Sequence, residues 1–348
     1  MRRWITLAVS LLISAVTLYF AFRSVNLAEI GSTFAHARYE YVAAAAALIF
    51  IGMIVRGTRW RVLTGGRLTP GDAFWLWAIG FLFNDVLPAK LGEIVRSILA
   101  GRRPGMTFTS ALSSVVVERL FDVVSVVALL AVALIFNPLP VWATQAGLAL
   151  GVAGVIGIAV LAFAARRPEP ALKLGAKLVA LLPMYTEEQA SGFLAPFVEG
   201  LGGVRDLRIF GAGLGLSAVA WMFSVLASWA LMFAFWANPP FSVALLALAA
   251  AGLGVSVPSA PSGIGPYQAA IIGVLTVIHY DLSLSQSYAI ANHGVVFLTT
   301  VVVGLIGLAR EGVSFGDIAR EAQGAQKGEE AVASEAGSGD KQKDAVSS

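Results

Sequence analysis

From Ile209 to Ala309 the chain carries a single Asp, Glu, Lys or Arg, Asp281. No soluble surface can be built from so long a stretch with so little charge. Soluble domains carry about 25% charged residues, whereas this chain of 348 residues is 13% charged and 57% hydrophobic. The sequence therefore describes an all-α polytopic membrane protein, because a helix satisfies its own backbone hydrogen bonds where lipid cannot.

Apolar runs near the roughly 20 residues that cross a hydrocarbon core lie at 4–22, 41–55, 110–136, 141–165, 209–237, 241–257 and 286–308. Seven such runs are a floor, and two interrupted elements described below bring the expectation to about 7–9 membrane segments. Arg2 and Arg3 precede the first run. Ile5 to Phe22 is too long for a signal-peptide core and no small-x-small cleavage site follows it, so it reads as a retained helix. The sequence has no cysteine, which excludes disulfides and thiolate metal sites. Its net charge of +3 fits basic cytoplasmic loops better than a nucleic-acid partner.

Lys and Arg cluster at Arg2 and Arg3, at Arg56, Arg59, Arg61 and Arg67, at Arg102 and Arg103, at Arg166, Arg167, Lys173 and Lys177, and at Arg205, Arg208 and Arg310. Alternate connections at 137–140, 237–240 and 279–285 carry no Lys or Arg, and only 23–40 breaks the trend, with Arg23 and Arg38. The positive-inside rule then puts both termini in the cytoplasm, in a multi-pass protein expected in the plasma membrane. That assignment closes only if 73–100 enters the membrane and returns to the same side. The stretch "NDVLPAKLGEIVRSILAGRR", 84–103, is then the bend and return arm of a hairpin. A second broken element, entering from outside, is expected where 241–257 meets "VPSAPSGIGPYQ" and a short apolar arm at 267–279. Irregular backbone at membrane depth is tolerated only where protein or a wet cavity surrounds it. Two such elements of opposite topology point to a transporter-like site between possible inverted halves.

Residues 1–310 are thus expected to form the membrane domain. Within it, 168–208 reads as a cytoplasmic amphipathic linker spaced by Pro168, Pro170, Pro183 and Pro196. Residues 311–348 form a cytoplasmic tail, disordered from about 321, where Gly, Ser, Ala, Glu and Lys alternate without apolar periodicity.

In the run 110–136 the only charges are Glu118, Arg119 and Asp122, which share an arc of about 100° on a helix. A mid-bilayer charge costs at least about 2.5 kcal/mol, so these residues must face inward and be paired. Arg119 and Asp122 can pair along the helix. Glu118 then needs a cation from elsewhere, and the hairpin offers Lys90 and Arg96. Lys90, Glu93 and Arg96 recur every third residue, with Glu93 and Arg96 expected as a pair. Two facing polar stripes make a charged seam, either packing glue or a groove where Lys90, Arg96 and Arg119 meet a phosphate headgroup while Glu93, Glu118 and Asp122 orient them.

The second broken element holds Pro258, Pro261, Gly263, Gly265, Pro266, Tyr267 and Gln268. Pro266 suits a first helical turn, and the free N–H groups there can accept an anion. The other reading is a tight turn with no ligand. His293, beside Asn292 in the final run, can bind a headgroup or protons, or hydrogen-bond across helices. No HExxH, GxxxxGK[ST] or GxSxG motif occurs. Ser262 superficially resembles a nucleophile, without His and Asp partners evident in the sequence. No metal site, cofactor or catalytic constellation is expected.

Together "RGTRWRVL" at 56–63, "FNDVLPAKLGEIVRSILAGRR" at 83–103, "SALSSVVVERLFDVV" at 110–124 and "VPSAPSGIGPYQAAIIGVL" at 257–275 resemble the lysylphosphatidylglycerol synthase transmembrane region, a family of flippase-like integral membrane proteins. The resemblance runs over roughly 1–310. Full synthases of that family carry a soluble aminoacyl-transfer domain after the membrane part, and lysyl transfer is not carried over to this chain. The family commonly has Glu where this chain has Gln268. The resemblance implies movement of a phospholipid or lipid-linked glycan between leaflets. Asn84, Asp85, Pro88, Gly92, Pro258, Pro261, Gly263, Gly265, Tyr267, Gln268 and His293 would line the cavity, and a membrane lipid would be the partner. The alternatives are a non-catalytic scaffold for a glycosyltransferase or lipid-modifying enzyme and, third, a membrane-embedded transferase.

Overall fold

A computed structural model describes residues 27–87, 91–137, 166–180, 206–257 and 259–324, with scattered positions in 12–21, 141–164 and 186–198. The described residues form helices α1 (Leu27–Ala35), α2 (Tyr39–Leu63), α3 (Pro70–Val86), α4 (Gly92–Gly101), α5 (Phe108–Phe136), α6 (Pro168–Val179), α7 (Leu207–Met232), α8 (Phe241–Ser256), α9 (Pro266–Val277) and α10 (Leu282–Glu311). A last helix covers 315–324, and the rest of the expected tail lies outside the described residues. The expected runs at 4–22 and 141–165 fall largely outside the described residues.

Of these helices, α2, α5, α7 and α10 are long and apolar enough to cross a membrane. Their ends follow local chemistry. The Thr107 hydroxyl accepts from the Ser110 N–H at 3.2 Å to start α5, and the Asp281 carboxylate accepts from the Leu284 N–H at 2.9 Å to start α10. Gly312, at φ +65°, ends α10 in the left-handed conformation that glycine adopts most readily. Leu298, Val302 and Leu305 recur along one exposed face of α10, the stripe expected of a lipid-facing helix surface.

Both expected hairpins are present. The first is α3 and α4, with the bend where Leu87 precedes Pro88 and leaves the α region. Its ends lie on one face of the molecule. Arg103, just after α4, donates to Asp72 in the first turn of α3 at 3.0 Å and to Glu311 at the end of α10. Arg103 is held charged above its ordinary range: partial burial opposes this, but the Glu311 and Asp72 carboxylates outweigh it. The second hairpin is α8 and α9, joined by a 3₁₀ turn at Pro261–Gly263. Its ends lie at the other end of α10, where Trp236 before α8 packs edge-on against Tyr280 after α9 at 5.4 Å. The hairpins thus enter from opposite faces, each with a long first arm and a second arm too short to cross.

Glycine closes both hairpins. A Cβ on Gly92 would sit 1.7 Å from the carbonyl oxygen of Gly80, and one on Gly254 would sit 2.6 Å from that of Pro266. Only a residue without a side chain allows arms to approach so closely. Around the first hairpin, Trp77, Leu82 and Phe83 pack with Val95, Leu99, Val303 and Ile318. Around the second, Ala244, Ala247, Ile271 and Leu275 pack with Leu231 and Tyr288. α2 runs along α7, and α10 packs on α3, so the halves interlock.

Candidate functional site

Glu118 lies ten residues into α5, about 15 Å from its start at 1.5 Å per residue. It is fully buried. Its carboxylate accepts from Arg96 of α4 at 3.0 Å and from Trp77 of α3 at 3.2 Å, and pairs with Arg59 of α2 at 3.1 Å. One turn on, Asp122 accepts from Arg59 at 2.7 Å, from Trp221 of α7 at 3.1 Å and from Arg119 at 3.4 Å. Ser217 accepts a further bond from Arg59 at 2.9 Å. Five helices therefore converge on two carboxylates.

The expected seam between α4 and α5 exists, as does the expected Arg119–Asp122 contact. Its other pairing differs. Glu93 does not pair with Arg96; it accepts from Arg119 at 2.6 Å. The two residues on α4 each reach across to the opposite charge on α5, where Glu118 and Arg119 present the complementary order. Glu118 is also served by a cation that the sequence placed in a cytoplasmic cluster. Arg59, four residues before the end of α2, is fully buried in the seam. Its neighbour Arg56 donates to Ser224 at 2.9 Å and lies over the Trp221 ring. Of the expected headgroup residues, Lys90 lies outside the described residues and Arg96 is 1% exposed, whereas the Arg119 side chain is 34% exposed. Two guanidinium N–H groups in this interior, Arg59 Nε and Arg96 Nη2, have no hydrogen-bond acceptor among the described residues.

A second polar centre joins the hairpin turns. Asn84 accepts from the Gly92 N–H at 2.9 Å and closes the first turn. Asp85 projects to the second turn, where the Ser262 hydroxyl lies 3.3 Å from Oδ1, and to α10, where Thr300 donates to Oδ2 at 2.5 Å. Ser262 has φ +60°, and Gly263 and Gly265 are also left-handed. On its other side Ser262 meets His293 Nε2 at 2.9 Å, and His293 Nδ1 meets Gln268 Nε2 at 2.7 Å. The Tyr267 ring stacks on His293 at 4.5 Å, and its hydroxyl donates to Asn292 at 2.5 Å. Asp85, Gly263, Gly265, Tyr267, Gln268 and His293 thus come together, while Pro88 and Pro258 lie outside the described residues.

Two expectations change here. Ser262 does have His and Asp neighbours, drawn from positions 31 and 177 residues away. The donor order nevertheless opposes a nucleophilic role. The Gly265 N–H must meet the Gln268 oxygen, which it does at 2.8 Å, so the Gln268 amide nitrogen faces His293. That nitrogen only donates, so Nδ1 accepts and the imidazole proton sits on Nε2, where it donates to Ser262. A general base would need Nε2 free. The same bond uses the Gly265 N–H, which is therefore not free to receive an anion at the start of α9.

A family model described as the lysylphosphatidylglycerol synthase TM region matches residues 7–304. The chain is 22% identical to "Glycosyltransferase AglD" of Haloferax volcanii across 87% of its own length and 54% of that protein, so it spans about half of that relative. It is 24% identical to a UPF0104 membrane protein of Methanothermobacter thermautotrophicus, across 76% of this chain and 82% of that one. No solved structure matches.

Proposed function

Because this chain belongs to the lysylphosphatidylglycerol synthase transmembrane-region family, we propose that it binds a phospholipid or polyprenyl-phosphate lipid and moves it between leaflets of the plasma membrane, with both termini in the cytoplasm. The observation that carries this reading is Arg119. Among the described cations of the seam, Arg59 and Arg96 are committed to Glu118 and Asp122 in the interior, while Arg119 sits at the rim, 34% exposed, held by Glu93 at 2.6 Å and more loosely by Asp122 at 3.4 Å. A guanidinium presents a planar fork that matches phosphate oxygens. The headgroup would exchange with Glu93 for Arg119, and the unaccepted N–H groups of Arg59 and Arg96 supply further donors behind it. Acyl chains would stay in the bilayer.

The test is leaflet exchange of labelled phosphatidylglycerol and of a short polyprenyl phosphate in liposomes, wild type against Arg119→Ala of equal thermal stability. Exchange by wild type and its loss in the variant is the expected result. If neither protein exchanges any lipid tried, the reading fails. The similarity to a longer protein named as a glycosyltransferase favours one second reading, a membrane scaffold that serves a glycosyltransferase or lipid-modifying partner. Under it, Arg119→Ala changes only stability, and activity appears only with the partner present.

A further inference from the structure

Asp85 is the carboxylate that the seam leaves out. Its surroundings can be named element by element. From the second turn it meets Ser262, behind which stands His293; from α10 it meets Thr300. Charged residues of the elements packed on α3 point elsewhere: Glu93 and Arg96 of α4 to Arg119 and Glu118, Arg56, Arg59 and Arg61 of α2 to Ser224, to Glu118 and Asp122, and to the Leu68 carbonyl, and Arg310 of α10 over the Trp75 ring. No described cation lies within ion-pair distance of Asp85. Thr300 lies eleven residues before the end of α10 and His293 eleven after its start, about 17 Å from either end at 1.5 Å per residue. The site is therefore at mid-membrane depth, where a carboxylate needs a counter-cation or a proton.

We infer that Asp85 is a proton-binding site, and that its proton loosens a latch between the two hairpin turns. Both states are built into the contacts. Without the proton, Ser262 receives a hydrogen bond from His293 Nε2–H and so turns its own hydroxyl proton to Asp85 Oδ1, while Thr300 donates to Oδ2. With the proton on Oδ2, Thr300 becomes the acceptor without moving, because its hydroxyl also lies 3.0 Å from the carbonyls of Val296 and Phe297 and can donate there. Ser262 keeps its place but now donates to a neutral carboxyl. Hydrogen bonds to an ionised partner are about twice as strong as neutral ones, so the turn-to-turn contact weakens. The neutral tautomer of His293 is enforced by Gln268, which leaves Asp85 as the group that titrates. If the protein moves lipid, as proposed above, this links turn opening to the proton gradient; the latch itself does not depend on that reading.

The experiment is hydrogen exchange in the segment 259–265 of the reconstituted full chain, read as the ratio of Asp85→Asn to wild type at each pH so that the intrinsic chemistry cancels. The expected ratio is about threefold to tenfold near neutral pH, falling to one in acid. Ser262→Ala, which removes the latch from the other turn, should exchange fast at all pH values, and it serves alone against wild type if Asp85→Asn does not fold. Infrared difference spectra should show an acid-induced protonated-carboxyl band that Asp85→Asn or Asp85→Glu abolishes or shifts. A ratio independent of pH overturns the proposal. So does a ratio that follows sodium instead of pH, which makes the site one for a metal cation, or a pH dependence that appears only in a Lys90→Gln background, which makes Lys90 the counter-cation of an ionised Asp85.

Discussion

Replacing Glu118 by Gln separates charge from shape in the seam. Gln keeps the volume and an oxygen for the Trp77 indole N–H, which stands 3.2 Å away. It removes the charge that Arg59 and Arg96 share. Arg59 retains Asp122 at 2.7 Å, but Arg96, 1% exposed, has no other ion pair among the described residues. Breaking a buried pair from one side costs about 3–5 kcal/mol, because the remaining charge stays buried without compensation. The retained Arg59–Asp122 contact puts the expected loss near the lower end, about 3 kcal/mol. The double variant Glu118→Gln with Arg96→Met should recover about 2 kcal/mol of it, since an apolar chain of similar length replaces the stranded cation. Reversible unfolding of purified protein in mixed micelles titrated with SDS measures both. A Glu118→Gln loss under about 1 kcal/mol, or a double variant no more stable than the sum of its singles, refutes the account of the seam as a charge-determined core.

Gly92→Ala should give no monodisperse folded protein by size exclusion, because its Cβ would meet the Gly80 carbonyl at 1.7 Å; Gly211→Ala, with open space around it, should keep or slightly raise stability. Arg102→Ala should shift stability by less than about 0.5 kcal/mol in the same SDS titration, since its pair with Glu321 is nearly half exposed on both sides. Tyr267→Phe should cost about 1–2 kcal/mol by removing the donor to the buried Asn292, and an unchanged unfolding midpoint would contradict that hydrogen bond.

Much of this architecture is written in hydropathy. The charge-free runs give the helices, and the proline and glycine clusters give the hairpins, because lipid forbids irregular backbone elsewhere. The polar stripe Glu118, Arg119 and Asp122 is legible for the same reason. Its partners are not. Arg59 follows an apolar run and precedes Arg61 and Arg67, so it reads like a topogenic charge, and only the continuation of α2 to Leu63 carries it into the seam. The spacing of Glu93 and Arg96 satisfies a helical pair equally well on paper. Choosing between that pair and cross-helix partners takes the packing of α4 on α5, which one helix does not encode. The Ser262 cluster is further from reach, assembled from three segments whose approach depends on glycine contacts between arms.

The hydrogen bond from Thr300 to Asp85 joins residues 215 positions apart, and that separation sets a timetable for biogenesis. A ribosome adding about 5–20 residues per second needs roughly 10 to 40 s between the two. During that interval the first hairpin is already in the membrane with its α10-facing side uncovered and Asp85 without its α10 and second-turn partners. The insertion machinery must shield the nascent hairpin until α10 arrives, and truncations that remove α10 should be degraded even though the entire seam precedes them.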